Sequence, residues 1–173
     1  MSKDNAPRMR AEPLAKPPRI VLLEPEIPQN TGNIGRISAA LQCPLHLIEP
    51  LGFRTDEKAV RRAGLDYWPL VQMHQHPSLE HFRKQHPTSR LRFFSAVGKR
   101  CYLDAEFSPD DALVFGKEST GLPDELLESN ADETYALPTI GQVRSMNLAN
   151  TVGIVVYEAF RQLGAFERLS FRP

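Results

Sequence analysis

Three stretches of this chain place polar side chains beside glycines where a loop turns into a helix. The most informative is Pro138-Thr-Ile-Gly-Gln-Val-Arg-Ser-Met-Asn-Leu-Ala-Asn-Thr-Val-Gly-Ile-Val-Val-Tyr-Glu-Ala-Phe-Arg161. It begins as a polar loop and ends as an apolar helix. Arg144, Ser145 and Asn147 stand at the junction. There, unbonded helix N–H groups and a basic side chain can together hold a polar ligand. A second stretch, Glu24–Arg36, carries Asn30, Asn33 and Arg36. A third, Leu113-Val-Phe-Gly-Lys-Glu-Ser-Thr-Gly-Leu-Pro123, runs from an apolar strand into Gly116 and on to Gly121. Each alone also reads as an ordinary strand-to-helix turn, its glycines serving positive φ or close backbone approach.

Other constellations fail on their own chemistry. Gly116-Lys117 resembles the end of a phosphate-binding loop, but Asp111 and Glu118 occupy positions that need Gly and Ser or Thr. Gly32 and Gly35 do not make a dinucleotide-binding turn. Four histidines fall between His74 and His86. Without evidence of convergence they read as surface or loop residues, and no metal is expected. Neither Cys43 nor Cys101 has a partner that marks a nucleophile, and Ser119 lacks the nucleophile-elbow glycines.

The elements that must position the three stretches alternate. Apolar strands are expected at Ile20–Leu23, Leu45–Ile48, Pro69–Met73, Arg92–Val97, Ala112–Phe115 and Thr134–Leu137. Helices are expected from Asn30 or Thr31, as cap, to about Leu41, then over Asp56–Ala63, Ser78–Gln85, Pro123–Leu127 and Asn147–Leu163. Alternation of this kind predicts an α/β domain with a mainly parallel sheet flanked by helices. Ligands then sit outside the carboxyl ends of the strands, near the loops after Leu23, Val97, Phe115 and Leu137.

Composition sets the outer bounds. The chain has 173 residues, 41% of them apolar, and zero formal net charge. That is enough for one cored domain, read here as residues 19–173, preceded by a polar, proline-rich tail over 1–18 expected to be disordered. Charge is uneven: Arg54–Arg100 carries ten Lys or Arg against four acids, whereas Cys101–Tyr135 carries one against ten. The basic block could meet phosphates although the whole chain is neutral. There is no apolar leader or bilayer-length run, so a cytoplasmic protein without membrane contact is expected.

Together the stretches resemble the three signature motifs of the SPOUT-class RNA 2′-O-methyltransferases. The likeness extends from about Arg19 to Leu163, and runs closest to the small tRNA (cytidine/uridine-34-2′-O)-methyltransferases. It is carried by Asn30-Thr-Gly-Asn33, Phe115-Gly-Lys-Glu-Ser-Thr-Gly-Leu-Pro123 and Arg144-Ser-Met-Asn-Leu-Ala-Asn150, in that order. Ile48-Glu-Pro-Leu-Gly-Phe53 and Arg61-Arg-Ala-Gly-Leu-Asp-Tyr67 fit the same pattern. The resemblance implies a C-terminal deep trefoil knot, an unusual topology that periodicity cannot reveal. It also implies a homodimer, S-adenosylmethionine as cofactor and tRNA as substrate.

By the same resemblance, cofactor contacts fall on Ser95 and Ala96, then on Gly116, Glu118 and Gly121. They continue with Leu137 and Ile140, and with Ser145, Met146 and Leu148. Catalytic positions are Arg36, Asn33, Ser145 and Asn147. A guanidinium is a poor base, so Arg36 is read as positioning the ribose and stabilising developing oxyanion charge. RNA contacts are expected from Arg61, Arg62 and Arg144, more weakly from Arg54, Lys58, Lys99 and Arg100. Tyr67 and Trp68 either stack a base or are buried aromatics. Two alternatives stay open: the same chemistry on ribosomal RNA or another tRNA position, and a non-catalytic RNA-binding knot protein. The apolar face of Val152, Val155, Val156, Ala159 and Leu163 could pack on its own sheet, across a dimer, or both.

Overall fold

The computed structural model describes residues 6–53 and 66–172. Seven strands form one sheet in the order β4-β3-β2-β7-β5-β8-β6. They are β2 (Arg19–Leu23), β3 (Leu45–Ile48), β4 (Met73–His76), β5 (Leu91–Phe94), β6 (Arg100–Cys101), β7 (Ala112–Phe115) and β8 (Thr134–Ala136). Every neighbouring pair in this sheet is parallel. In register, Val21 lies opposite His46 on one side and Val114 on the other.

Continuous apolar runs form the central strands because both faces are covered. Ile20 and Leu22 enter the core that contains α1 (Pro28–Leu41) and α4 (Leu148–Gln162). Val21 and Leu23 enter a second core beneath α2 (Leu79–Gln85) and α3 (Asp124–Ser129). Val152, Val155, Val156 and Ala159 of α4 are fully buried against the chain's own sheet. Each such valine stabilises the fold by roughly 1.5–3 kcal/mol.

Several boundaries differ from expectation for identifiable reasons. α1 begins at Pro28, with proline in its first turn, rather than behind an Asn30 or Thr31 cap. Asn30 is instead inside the helix and buried. The expected strand at Pro69–Met73 is a 3-10 turn over Trp68–Leu70, followed by β4 at Met73–His76. Pro69 lacks the N–H a ladder needs, and the actual edge strand is polar. Trp68 lies against α1, so close to Gly35 that a Cβ there would stand 2.8 Å from the indole. The expected helix at Asp56–Ala63 lies outside the described residues.

The histidines are not loop residues. His74 and His76 are in β4, His81 is in α2 and His86 is the residue that ends it. His76 is buried, as is His46 in β3. The tail expected to be disordered is tied down in part. β1 (Arg8–Ala11) pairs antiparallel with β9 (Leu169–Arg172), a strand that follows what was expected to be the last one. Arg8 faces Arg172 and Ala11 faces Leu169 across this exposed ribbon.

Candidate active site

The loops after β2, β5, β7 and β8 converge at the carboxyl edge of the sheet. They enclose a cleft of about 710 Å³. Phe94, Ser95, Ala96 and Val97 form one wall, and Phe115–Leu122 another. Leu137, Thr139 and the Arg144–Leu148 segment close the remainder, with Ile27 and Asn30 entering from the first loop. A cleft of this size, mixing apolar side chains with a few polar groups, is the usual form of a small-molecule site.

A chain of hydrogen bonds stitches the three sequence stretches together. The Glu118 carboxylate accepts from the Glu26 N–H at 2.8 Å, the Ile27 N–H at 3.3 Å and the Asn30 side-chain amide at 2.9 Å. The Asn147 side-chain amide donates to the Asn30 side-chain oxygen Oδ1 at 2.9 Å. The Asn147 side-chain oxygen then accepts from the Ala149 and Asn150 N–H groups, capping α4. These two N–H groups are therefore not free donors for a ligand, contrary to the sequence reading of this helix start.

A second set of contacts fastens the same loops further out. Ser119 donates to Glu26 through both its N–H and its hydroxyl, at 3.0 and 2.9 Å. Those two bonds hold the Glu26 carboxyl below the ordinary carboxylate range. Lys117 donates to Glu24 at 2.8 Å, and this bond raises the lysine's affinity for its proton.

Glycine is obligatory at one point of the loop after β7. A Cβ on Gly116 would stand 2.2 Å from the backbone of Gly121. Gly121 itself has φ +76° and donates its N–H to the Lys117 carbonyl. The loop thus folds back on itself at the end of β7, and no side chain fits between its two arms.

Of the expected cofactor positions, Ser95, Ala96, Gly116, Glu118 and Gly121 line the cleft. Leu137, Ser145, Met146 and Leu148 do so as well. Ile140 does not; it is fully exposed, and Thr139 lines the cleft in its place. Asn33 and Arg36 lie on the exposed side of α1, outside the cleft wall. The Arg36 guanidinium sits 4.4 Å from the centre of the Tyr67 ring and 3.8 Å from Asp66. Tyr67 also donates its hydroxyl to the Gly32 carbonyl at 2.6 Å, so it is packed on α1 rather than free. Arg144 is exposed and lines the cleft. Arg100 is engaged with the Asp132 carbonyl and the Tyr135 ring. Arg61 and Arg62, with Arg54 and Lys58, lie outside the described residues.

Sequence reasoning placed Asn30 on the loop side but gave it no role in the site. From within the second stretch it links the third, through Glu118, to the first, through Asn147. A polar residue just inside a proline-started helix was the available signal.

Residues 17–157 match the SpoU rRNA methylase family. The chain belongs to this family. The chain is also similar to individual proteins well beyond the level of shared fold. A tRNA (cytidine(34)-2′-O)-methyltransferase of Saccharophagus degradans is 48% identical over 146 residues, covering 84% of this chain and 95% of the relative. The protein of the same description from Escherichia coli (strain K12) is 43% identical, covering 84% and 93%. A solved structure concerning the 2-OH methylation of C/U34 on tRNA aligns at TM-score 0.80 with 48% identity, over 86% of this chain and 97% of that one. More distantly, the fold matches the SpoU methyltransferase AviRb of Streptomyces viridochromogenes in complex with AdoMet. That alignment has TM-score 0.71 and 24% identity, over 94% of this chain and 62% of that one.

Proposed function

We propose that this chain methylates the ribose 2′-OH of the wobble nucleotide of tRNA, position 34, where it is cytidine or a modified uridine. S-adenosylmethionine is the methyl donor. The observation that carries this reading is the Glu118–Asn30–Asn147 chain, which joins the three motif loops around a single cleft. The relatives that share these loops supply the substrate class.

The residues present fit such a cofactor. Leu137 and Leu148 offer an apolar border, and Ser95, Ala96, Gly116 and Gly121 offer backbone groups within the cleft. Ser145 and Met146 stand beside them. When bound, the cofactor would supply an electrophilic methyl group to the ribose 2′ oxygen, whose proton would pass to water. Glu118 and Asn147 act by position, since their side chains are engaged in holding the loops. Ser145, which is exposed and lines the cleft, contacts the 2′-OH in this reading.

Arg36 orients the ribose and a neighbouring phosphate, and stabilises negative charge developing on the 2′ oxygen. Asn33, one turn earlier on the same exposed side of α1, orients the hydroxyl. Arg144, with Arg61 and Arg62, meets RNA phosphates. An anticodon loop suits a small domain, because its bases are unstacked and reachable. The reading includes a homodimer in the cytoplasm, a C-terminal trefoil knot and residues 19–173 as the methyltransferase domain. Ile154 and Tyr157, exposed on the outer side of α4, are available for the dimer contact.

The test is incubation with labelled S-adenosylmethionine and separate tRNA and ribosomal RNA pools, followed by mass-spectrometric mapping. A 2′-O-methyl group at nucleotide 34, lost in Arg36→Ala, is the expected result. Label confined to ribosomal RNA or to another tRNA position would overturn the substrate assignment.

A further inference from the structure

All five histidines of the chain gather on one side of the sheet's β4 edge, away from the motif loops. His46 and His74 lie opposite each other in β3 and β4, with rings stacked at 4.9 Å. His76 is two residues along β4, on the same face. α2 covers this face, bringing His81 to 5.5 Å from the His76 ring. The chain leaving α2 brings His86 to 5.0 Å from the His46 ring. One ring nitrogen from each of His46, His76 and His86 lies within 4.8 Å of the other two.

The cluster is not a closed hydrogen-bond network. His46 is 1% exposed. Its Nδ1 lies 2.9 Å from His76 Nε2, but its Nε2 has no partner. A buried ring nitrogen without a partner costs roughly 1–3 kcal/mol. Among the described residues, Thr31 Oγ1 is the one other buried side-chain polar atom in this condition.

We propose that His46, His76 and His86 bind a divalent cation of the zinc class, tying β3, β4 and the end of α2 together. Three neutral imidazoles are a borderline-soft donor set that suits Zn²⁺ and leaves a fourth position for water. Nitrogens on a tetrahedral zinc ion stand roughly 3.3–3.4 Å apart. Small rotations of three rings would bring the present arrangement to that spacing. His81, whose Nδ1 lies 3.3 Å from His76 Nδ1, would hold the His76 ring in place from behind. His86 is only half-buried, which gives the ion a way in. A neutral imidazole presents one bare ring nitrogen to a cation. The role is structural, because none of these histidines lines the cleft. This inference stands apart from the methyltransferase reading and does not depend on it.

Untagged, chelator-stripped protein titrated with Zn²⁺ in a calorimeter is the first test. Saturation at one equivalent per chain is expected, together with a higher midpoint of thermal unfolding. Co²⁺ in place of Zn²⁺ should show the intense visible bands of a four-coordinate nitrogen site. His86→Ala and His76→Gln should each weaken Zn²⁺ binding at least tenfold. His81→Ala should weaken it by roughly 10-fold as an outer partner. Absence of saturable Zn²⁺ binding by the unsubstituted protein would overturn the proposal without reference to any variant. So would binding unchanged in His86→Ala and His76→Gln, or binding lost only in His81→Ala, which would mark a surface pair on α2.

Discussion

Arg92 and Arg36 are one side-chain type in two opposite settings. Arg92 rises from β5 with its side chain 1% exposed. Its Nε donates to Asp111 at 2.9 Å, and one terminal nitrogen donates to Tyr135 at 3.0 Å and Glu133 at 3.2 Å. The other terminal nitrogen bonds the Glu106 carbonyl. Asp111 is itself buried and accepts also from the Ser108 N–H. Arg36 is exposed; its guanidinium rests on Tyr67 and reaches Asp66 only at 3.8 Å. A buried guanidinium with its donors engaged fixes the relation of β5, β7 and β8. One resting on an aromatic face keeps its fork open for a partner from outside. The first kind of arginine belongs to the architecture, and the second is the kind the proposed chemistry calls for.

That contrast can be broken experimentally. Arg92→Met should have the largest effect. It strands buried Asp111 without its cation and should cost about 3–5 kcal/mol, read from urea unfolding. A loss below about 1 kcal/mol would show that water or rearrangement replaces the pair. Arg36→Ala should leave unfolding within about 0.5 kcal/mol of the unsubstituted protein. It should instead lower kcat/KM for tRNA methylation by about 10²–10³, as loss of one oxyanion donor does. Arg36→Lys retaining full activity would show that a planar fork is not required.

Glu118→Ala sits between the two extremes and sharpens the line. It removes the acceptor for the Glu26 N–H, the Ile27 N–H and the Asn30 amide. Stability should fall by about 1–3 kcal/mol. The dissociation constant for S-adenosylmethionine should rise in the same protein, measured by calorimetry. A change in only one of the two quantities would mean that the loops and the cleft are not coupled through this carboxylate. Arg144→Ala should give the smallest effect: a modest loss of tRNA affinity and a shallower salt dependence, by about one phosphate contact. An unchanged salt slope would remove Arg144 from the RNA surface.

The Arg36 side of the contrast was legible in the sequence, because glycines, asparagines and arginine cluster where strands end. The sheet's central strands were legible too, since Ile20–Leu23 and Ala112–Phe115 are unbroken apolar runs. Arg92 was not, because a charged residue in a strand reads as solvent-facing until Asp111 and Tyr135 are seen beside it. β4 escaped for a related reason: Met73-His-Gln-His76 has no apolar run, and its placement comes from pairing with β3. The engagement of Asn30 and Asn147 with each other joins residues 117 positions apart. No local pattern encodes a contact at that separation. The pairing of β1 with β9 spans nearly the whole chain and was hidden in the same way.

That last pairing has a mechanical side. In the β1–β9 ribbon the outermost residues of the two strands, Arg8 and Arg172, face each other, and the inner ends lead into the body of the protein. Tension applied at the two ends of the chain therefore pulls the strands apart sideways. The rungs would open one after another, starting at Arg8 and Arg172, each at the small force that separates a single pair of strand bonds. Only after Ala11 had parted from Leu169 would load reach β2 and α4. The ribbon acts as a zipper that yields first, and the methyltransferase core behind it stays slack until the zipper is open.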